Sequence, residues 1–226
     1  MPDRRRHRGP DPSDGAHFQQ GQWPRLREAV DDLSWLLGRG YAHRAASTLV
    51  GDRFQLPARQ RLAVERAACA PEVAAARRAK TVDIPGRAVR IDGFNVIVTV
   101  ESALGGAPVL ACRDGRLRDL ARLRGTYRIV DETEPALDRL VAALAGCASA
   151  VWLLDRPVSN SGRLAALLRA RGQDVQVMDA VDRELVRDGV AVASSDGPVI
   201  DRADMAVALD ARALDGVEVA GWVDLG

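Results

Sequence analysis

Residues 23–84 have the spacing of apolar positions that is typical of helices. In "PRLREAVDDLSWLLGRG", Leu26, Val30, Leu33 and Leu37 recur three or four residues apart, which places them on one face of a helix that two glycines then end. The stretches "YAHRAASTLVGDRF" and "PARQRLAVERAACA" predict two shorter helices, and no stretch here alternates as a strand would. We therefore predict a small all-helical module that ends before a Pro-Gly pair.

Beyond residue 85 the pattern changes to short apolar runs that alternate with helical segments. The runs "AVRI", "AVWLL", "DVQVM" and "GVAVAS" have the length of buried strands. Helices are predicted over approximately 134–145, 161–171 and 201–210. Strands separated by helices of this length are joined by crossovers, which favours parallel pairing. The sequence thus predicts an α/β domain over residues 85–226, with a mainly parallel sheet and helices on both faces.

The segment 107–128 is the least regular part of this domain. We predict a hairpin around Asp114-Gly115, followed by a basic helix. The strip over 113–128 contains six arginines and two aspartates. Two interpretations stay open for it: a surface that follows a nucleic-acid backbone, or the solvated face of an amphipathic helix. The residues proposed to contact a nucleic acid here are Arg118, Arg122, Arg124 and Tyr127.

Composition and charge narrow the class of protein. Of 226 residues, 47% are hydrophobic and 28% are charged, which is ordinary for a globular protein, and the net charge of +1 argues against bulk attraction to nucleic acid or membranes. Three widely spaced cysteines without a C-x-x-C pair fit a reducing cytoplasm. Residues 1–22 are predicted to form a disordered basic tail. No run has the length of a transmembrane helix, and no signal peptide is expected.

Three predicted strands end in an aspartate: Asp92, Asp155 and Asp196. Ligands of parallel α/β sheets bind beyond the carboxyl ends of the strands, so these carboxylates converge if the strands are neighbours. Two such charges about 4 Å apart repel by about 4 kcal/mol at an effective dielectric of about 20. A hard divalent cation, Mg²⁺ or Mn²⁺, relieves that repulsion. Each aspartate alone is better explained by a turn or a helix cap, so the joint pattern carries the prediction.

Other polar residues lie near the same predicted edge. Asp182 and Asp201 are weaker predictions for additional metal ligands. After Asp155, "SNSGR" offers caps and an arginine at the start of a helix, where free amides suit a phosphate, although ordinary capping explains the same residues. The residues proposed to contact a phosphodiester here are Ser159, Asn160, Ser161 and Arg163.

The α/β domain resembles the PIN-like nucleases, and especially their NYN branch. The likeness rests on "IDGFN" at the first strand, "WLLD" at the next core strand and "ASSDG" near the end, over roughly 120 residues. The whole chain also resembles an uncharacterised prokaryotic family that pairs a helical module containing "VGDRFQL" with a half containing "DRPVSNSGRLA". The first resemblance implies that Asp92, Asp155 and Asp196 are metal carboxylates and that Asn95 is a polar orienter beside them. It also implies a further acid, for which Glu101, Glu132 and Asp182 are the candidates.

The resemblance implies a divalent-metal-dependent ribonuclease that hydrolyses RNA phosphodiesters with metal-activated water. The alternative is a catalytically inactive RNA- or protein-binding module on the same fold. The helical module would provide a packing lid, a protein-partner surface or a homo-oligomer contact. Haloacid-dehalogenase chemistry fits less well, since Phe94 stands where that site needs an acid, and neither a P-loop nor a G-x-G-x-x-G motif occurs.

Overall fold

A computed structural model of the chain describes residues 7–121, 125–187 and 189–226. The N-terminal part is all helical, as predicted, and the stripe residues Leu26, Val30 and Leu33 are buried. Beside a 3₁₀ turn at Gln20–Gln22, its helices are α1 (Asp14–His17), α2 (Trp23–Gly38), α3 (His43–Arg53), α4 (Ala58–Ala67) and α5 (Pro71–Ala79). The prediction missed α5, which Pro71 opens at the first helical position, where its missing amide costs nothing.

The C-terminal part is an α/β domain built on a five-stranded parallel sheet, which confirms the predicted fold class. Its strands are β1 (Ala88–Asp92), β4 (Ser149–Asp155), β5 (Asp174–Met178), β6 (Ala191–Ala193) and β7 (Met205–Val207). Its helices are α6 (Gly93–Leu104), α7 (Thr133–Ala143), α8 (Ser161–Arg169), α9 (Val181–Leu185), α10 (Gly197–Arg202) and α11 (Leu209–Ala213). The strand order is β5-β4-β1-β6-β7, so β1 lies at the centre.

Helices cover both faces of this sheet, and the two faces form separate apolar clusters. Trp152 and Leu154 of β4 pack with α6, α7, α8 and α11 on one face. Leu153, between them, packs with α9 and α10 on the other. Because side chains alternate along a strand, Asp155 points to the same side as Leu153. By the same alternation Asp92 points to the same side of the sheet as Arg90. The guanidinium of Arg90 lies 3.6 Å from the carboxylate of Glu184 in α9.

A second, three-stranded sheet joins the two parts of the chain. It consists of β2 (Val109–Ala111), β3 (Leu117–Asp119) and β8 (Trp222–Asp224), in the order β3-β2-β8. Leu110 and Val223 of this sheet belong to the same buried cluster as Leu26 of α2 and Val64 of α4. The helical module and the α/β domain therefore share a core through this small sheet.

The hairpin predicted around Asp114-Gly115 is present, but the basic helix after it is wrong. Arg118 lies in β3, antiparallel to β2, and residues 125–130 form no helix. The guanidinium of Arg116 is buried and donates to Oγ1 of Thr81 at 2.9 Å. Arg116 and Arg118, two arginines of the strip, are therefore used inside the fold.

The helix predicted over 201–210 is also wrong. The segment contains the end of α10, then strand β7, then the start of α11. Strand β7 pairs with β6 on one side, and on the other the amide of Ala206 donates to the carbonyl of Lys80 at 2.8 Å. Strand partners on both sides outweigh the helical preference of alanine and methionine.

The N-terminal segment differs from prediction where the structure describes it. Residues 7–22 were expected to be disordered, yet Asp14 is buried and its carboxylate accepts from Arg59 at 2.7 and 2.8 Å. Residues 1–6 of the predicted tail lie outside the described residues. Within the described ranges, no helix is both long and apolar enough to cross a bilayer.

Candidate active site at the carboxyl edge of the sheet

The three predicted aspartates lie at the ends of three adjacent strands. Asp92 ends β1, Asp155 ends β4 on one side of it, and Asp196 follows β6 on the other. Asp92 is in register with Leu153, so Asp155 projects two residues further along the neighbouring strand. The adjacency on which the predicted convergence depended is therefore present.

The loop after β6 is fixed to the end of β1 by two serines. The hydroxyl of Ser194 donates to Oδ2 of Asp92 at 2.9 Å and accepts from the amide of Asp196 at 3.1 Å. Oδ1 of Asn95 accepts from the amide of Ser195 at 2.8 Å and from its hydroxyl at 3.0 Å. Asn95 thus orients this loop, and its oxygen is engaged by Ser195. The sequence pointed to "ASSDG" as a motif but did not predict what either serine does.

The carboxylates at this edge oppose one another's ionisation. The pKa of Asp92 is raised to about 7, first by burial and then by the charges of Asp155 and Asp196, against hydrogen bonds from Ser194 and from the amide of Asn95. The pKa values of Asp155 and Asp196 are also raised, by burial first and then by the charge of Asp182. The edge is therefore an acidic site in which the acids resist one another's ionisation, and at Asp196 the charges of Arg118, Arg77 and Arg202 offset part of the rise in pKa.

Asp182 is the fourth acid of this edge. It lies in the first turn of α9, is exposed, and acts electrostatically on both Asp155 and Asp196. Of the three candidates for a further acid, Asp182 alone has this relation to the edge. Glu101 is buried near the far end of α6, and Glu132 accepts from the His7 ring at 3.0 Å.

Asp201 does not join the acidic group. Its two carboxylate oxygens accept from Nε and Nη2 of Arg77 at 2.7 and 2.8 Å. These hydrogen bonds lower the pKa of Asp201, whereas the pKa values of Asp92, Asp155 and Asp196 are raised. The weak prediction of Asp201 as a metal ligand is therefore replaced by a role in an ion pair.

The ligand atoms at the edge suit a hard divalent cation, but the carboxylates are not grouped closely together. Carboxylates are the ligands that Mg²⁺ and Mn²⁺ prefer, and a cation would offset the mutual repulsion described above. In the part of the chain that the structure describes, no three His, Cys, Asp or Glu side chains are grouped closely enough to hold a metal ion. The edge thus supplies suitable ligands, but among the described residues they are not close enough together to surround an ion.

The residues predicted to contact a phosphodiester near α8 divide into two kinds. The Ser159 hydroxyl accepts from the amide of Tyr127 and donates to its carbonyl, both at 3.0 Å, and Asn160 donates to the same carbonyl at 2.8 Å. Ser161 donates to the carbonyl of Arg156 at 3.4 Å. These three side chains bind backbone groups elsewhere in the protein, whereas Arg163 is exposed in the first turn of α8.

Two of the residues predicted to contact nucleic acid in the basic strip, Arg118 and Tyr127, bind other groups of the protein. Tyr127 is fully buried, and its hydroxyl donates to Oε1 of Glu101 at 2.5 Å. Arg118 donates to both carboxylate oxygens of Asp114, at 2.8 and 2.6 Å. Arg122 and Arg124 lie outside the described residues. Within the described residues, the strip therefore contributes the buried Arg116 and the partly buried Arg118 to the fold, and its tyrosine is not exposed.

A groove of about 710 Å³ runs between the helical module and the acidic edge. No pattern in the sequence predicted this groove, since its two walls are far apart in the chain. Its helical wall includes Leu37, His43, Glu65 and Arg66, and its other wall includes Phe94, Asn95, Ser195 and Asp196. A ligand in this groove would contact both parts of the protein and would lie against one of the acids.

Comparison with known proteins identifies the family but assigns no activity. The model for the domain of unknown function DUF5616 matches residues 81–212, and that for the protein of unknown function DUF434 matches residues 25–80. The uncharacterised protein MJ0935 of Methanocaldococcus jannaschii is 30% identical over 185 residues, which cover 77% of this chain and 88% of the relative. No solved structure matches the chain significantly. The chain belongs to the DUF5616 family.

Proposed function

We propose that this protein is a divalent-metal-dependent ribonuclease that hydrolyses RNA phosphodiesters at the carboxyl edge of its parallel sheet. The observation that carries the proposal is the group of acids on adjacent strand ends, with Asp92 at the centre and its pKa raised to about 7. Among the described residues, no arginine, lysine or histidine forms an ion pair with Asp92, Asp155 or Asp196. Such a charge arrangement is costly to keep unless a cation is bound in the working state.

Asp92, Asp155 and Asp196 would hold the ion, and Asp182 would add charge beside them. A bound Mg²⁺ or Mn²⁺ would supply a water of lowered pKa and would offset the charge that builds on the phosphate. The chain's own contribution is positional: Ser194 and Asn95 fix the loop that carries Asp196. Asp92 is rigidly placed because it lies in the central strand and directly precedes α6.

RNA is the substrate class that the surroundings of the edge favour. The groove beside Asp196 is open and large enough for part of a nucleotide chain. Exposed arginines flank the acids: Arg156 directly follows Asp155, Arg163 lies in the first turn of α8, and Arg183 directly follows Asp182. Cations around an acidic centre attract a polyanionic strand while leaving the acids for the metal. The resemblance of "IDGFN", "WLLD" and "ASSDG" to the PIN-like and NYN nucleases supports the same assignment.

Two observations favour a second function, a catalytically inactive RNA- or protein-binding module. The acids do not form a closed metal-ligand group in the described residues, and the oxygen of Asn95 is engaged by Ser195. A site with these properties could bind RNA through its flanking arginines without cleaving it. The two functions differ in whether the protein cleaves the bound RNA when a divalent ion is present.

Cleavage of a labelled single-stranded RNA with Mn²⁺ or Mg²⁺ tests the proposal. We expect cleavage by the wild type and a loss of about 100-fold or more in Asp92→Asn and Asp196→Asn. Asp174→Asn is the matched control, because Asp174 is an exposed aspartate at the opposite, amino end of β5. Equal cleavage by all four proteins would contradict the proposed site. RNA binding without metal-dependent cleavage by the wild type would favour the second function.

A further inference from the structure

Asp114, at the turn between β2 and β3, binds two arginines from different parts of the chain. Its side chain is fully buried. Arg118 of β3 donates to Oδ1 and Oδ2 at 2.8 and 2.6 Å, and Arg77 of α5 donates to Oδ2 at 2.9 Å. A buried carboxylate shared by two guanidinium groups restrains all three side chains, since loss of Asp114 would leave the guanidinium of Arg118 without this carboxylate partner.

Both arginines continue from Asp114 to the segment around the candidate active site. Nε of Arg118 donates to the carbonyl of Ser195 at 2.8 Å, one residue before Asp196. Arg77 binds Asp201 through Nε and Nη2, at 2.7 and 2.8 Å, on the helix that Asp196 precedes. The segment 195–201 is thus held at its start by Arg118 and at its end by Arg77.

Gly197 shows how closely Arg77 approaches this segment. A β-carbon added at Gly197 would lie 2.5 Å from Nη2 of Arg77 and 2.8 Å from its Cζ. Gly197 is the first residue of α10 and has no positive φ, so its backbone conformation does not require glycine. The absence of a side chain there is therefore explained by the space that the guanidinium occupies.

We propose that Arg77, Asp114 and Arg118 form a clamp through which the helical module positions the loop carrying Asp196. The inference rests on the proposed function only for the purpose of the clamp, which is to place Asp196 for RNA cleavage. Arg77 and Arg118 are positioning residues, because their hydrogen bonds go to the protein at the edge of the acidic site. The helical module is then a working part of that site, since Arg77 comes from α5 and Arg118 also donates to the carbonyl of Arg66 in α4 at 3.2 Å.

A double-mutant cycle between Arg77 and Gly197 tests the clamp. Gly197→Ala displaces the guanidinium without removing it, and Arg77→Ala removes it while Asp114 keeps Arg118 as a partner. We expect each single change to alter the same contact, so that the two effects do not add in the double variant. Gly15→Ala is the matched control, since Gly15 is also helical, has no positive φ and has nothing within 4 Å of its added β-carbon.

The first measurement is hydrogen exchange of the amides of Ser195 and Asp196. These amides donate to Asn95 and to Ser194, so their protection reports the loop directly. We expect exchange there to rise about tenfold in Arg77→Ala and in Gly197→Ala, with the amides of α7 unchanged. No change beyond that of Gly15→Ala, a uniform rise across the chain, or additive effects in the double variant would overturn the clamp.

The second measurement is metal-dependent RNA cleavage by the same variants. A positioning role lowers kcat by about tenfold and leaves KM for RNA near that of the wild type. Arg77→Lys is expected to recover only part of this loss, because an ammonium cannot bind Asp114 and Asp201 as a guanidinium fork does. If the wild type does not cleave RNA, the proposed function fails, while the exchange measurement still decides whether the clamp exists.

Discussion

Helix α6 links two partly or fully buried carboxylates that the protein treats in opposite ways. Asp92 directly precedes the helix, and Glu101 lies in its last turn, about 14 Å further along the axis. Glu101 accepts from Nε and Nη2 of Arg8 at 3.0 and 2.7 Å and from the hydroxyls of Tyr127 and Thr133 at 2.5 and 2.6 Å. Asp92 accepts from one hydroxyl, that of Ser194, and its charged neighbours are other acids.

The difference shows that this fold has the means to neutralise a buried acid and does not apply them at Asp92. Burial raises the pKa of both groups. At Glu101 the charge of Arg8 opposes that rise, whereas at Asp92 the charges of Asp155 and Asp196 add to it. The Glu101 site is therefore a structural contact in which the buried acid is neutralised, whereas the Asp92 site keeps acids that repel one another, as the proposed cation site would require.

Removing Arg8 should have the largest effect on stability. Arg8→Met leaves Glu101 buried without its charge partner, so we expect the free energy of unfolding to fall by about 3–5 kcal/mol at pH 7. Urea denaturation measures this. Arg53→Met is the matched control, because Arg53 pairs with Asp32 on the surface and should matter by less than about 1 kcal/mol. Equal losses in the two variants would contradict the structural role of Glu101.

Asp92→Asn should change stability in the opposite direction. The folded-state pKa of Asp92, about 7, exceeds the ordinary value of 3.8, so the native state resists an ionisation that the unfolded chain undergoes freely. The resulting cost is absent below about pH 4, grows as the pH rises to about 7, and then stays constant at no more than about 4 kcal/mol. We expect the variant to be more stable than the wild type at pH 8, with a gain that vanishes at pH 4.

Denaturation series at pH 4, 6 and 8 check this expectation. Glu101→Gln provides the contrast, since it leaves the guanidinium of Arg8 without its partner and should destabilise the protein at pH 8. A stability gain for Asp92→Asn that did not depend on pH would mean that ionisation of Asp92 is not its source.

Binding of a divalent ion should depend on Asp92 and not on the Glu101 site, and its effect on stability should be smaller than the two effects above. Mn²⁺ at about 100 times its dissociation constant should stabilise the wild type by about 2.7 kcal/mol, since a ligand that binds only the folded state adds that much. We expect the gain to be lost in Asp92→Asn and kept in Tyr127→Phe, and thermal unfolding with and without Mn²⁺ measures both. A gain that survived in Asp92→Asn would place the ion elsewhere.

The smallest effect is expected from Tyr127→Phe. The change removes one hydroxyl donor from Glu101 and should lower the free energy of unfolding by about 1–2 kcal/mol. Because Tyr127 is buried, RNA binding should be unchanged, which a filter-binding titration would show. Weakened RNA binding with unaltered stability would restore the surface role that the sequence suggested for this residue.

The strands that carry the site could be predicted because they are short buried runs in a regular α/β alternation. The adjacency of β4, β1 and β6 then brings Asp92, Asp155 and Asp196 to one edge. The final segment could not be predicted in this way, because "MAVALD" fits a helix until the backbone of residues 80–82 pairs with Ala206. A strand whose partners are distant in the chain gives little local signal.

The ion pairs of the site could not be predicted from local sequence patterns either. Asp182 and Asp201 looked alike in the sequence, yet Asp182 acts on the other acids and Asp201 is bound by Arg77, 124 residues away. Likewise, Arg118 and Tyr127 fitted an exposed basic strip, but in the fold Arg118 is paired with Asp114 and Tyr127 is buried against Glu101. Charge alone does not reveal whether an arginine faces solvent or a buried carboxylate.

The sequence by itself determined the helical module, the parallel α/β domain and the three acids at strand ends, because periodicity and chain order are local properties. Only the tertiary structure decided which charges are paired. In the fold Glu101 pairs with Arg8 and Asp201 pairs with Arg77, whereas Asp92 lies among other acids. The fold also places the helical module against the loop that carries Asp196. Pairing depends on distances between residues far apart in the chain, and packing sets those distances.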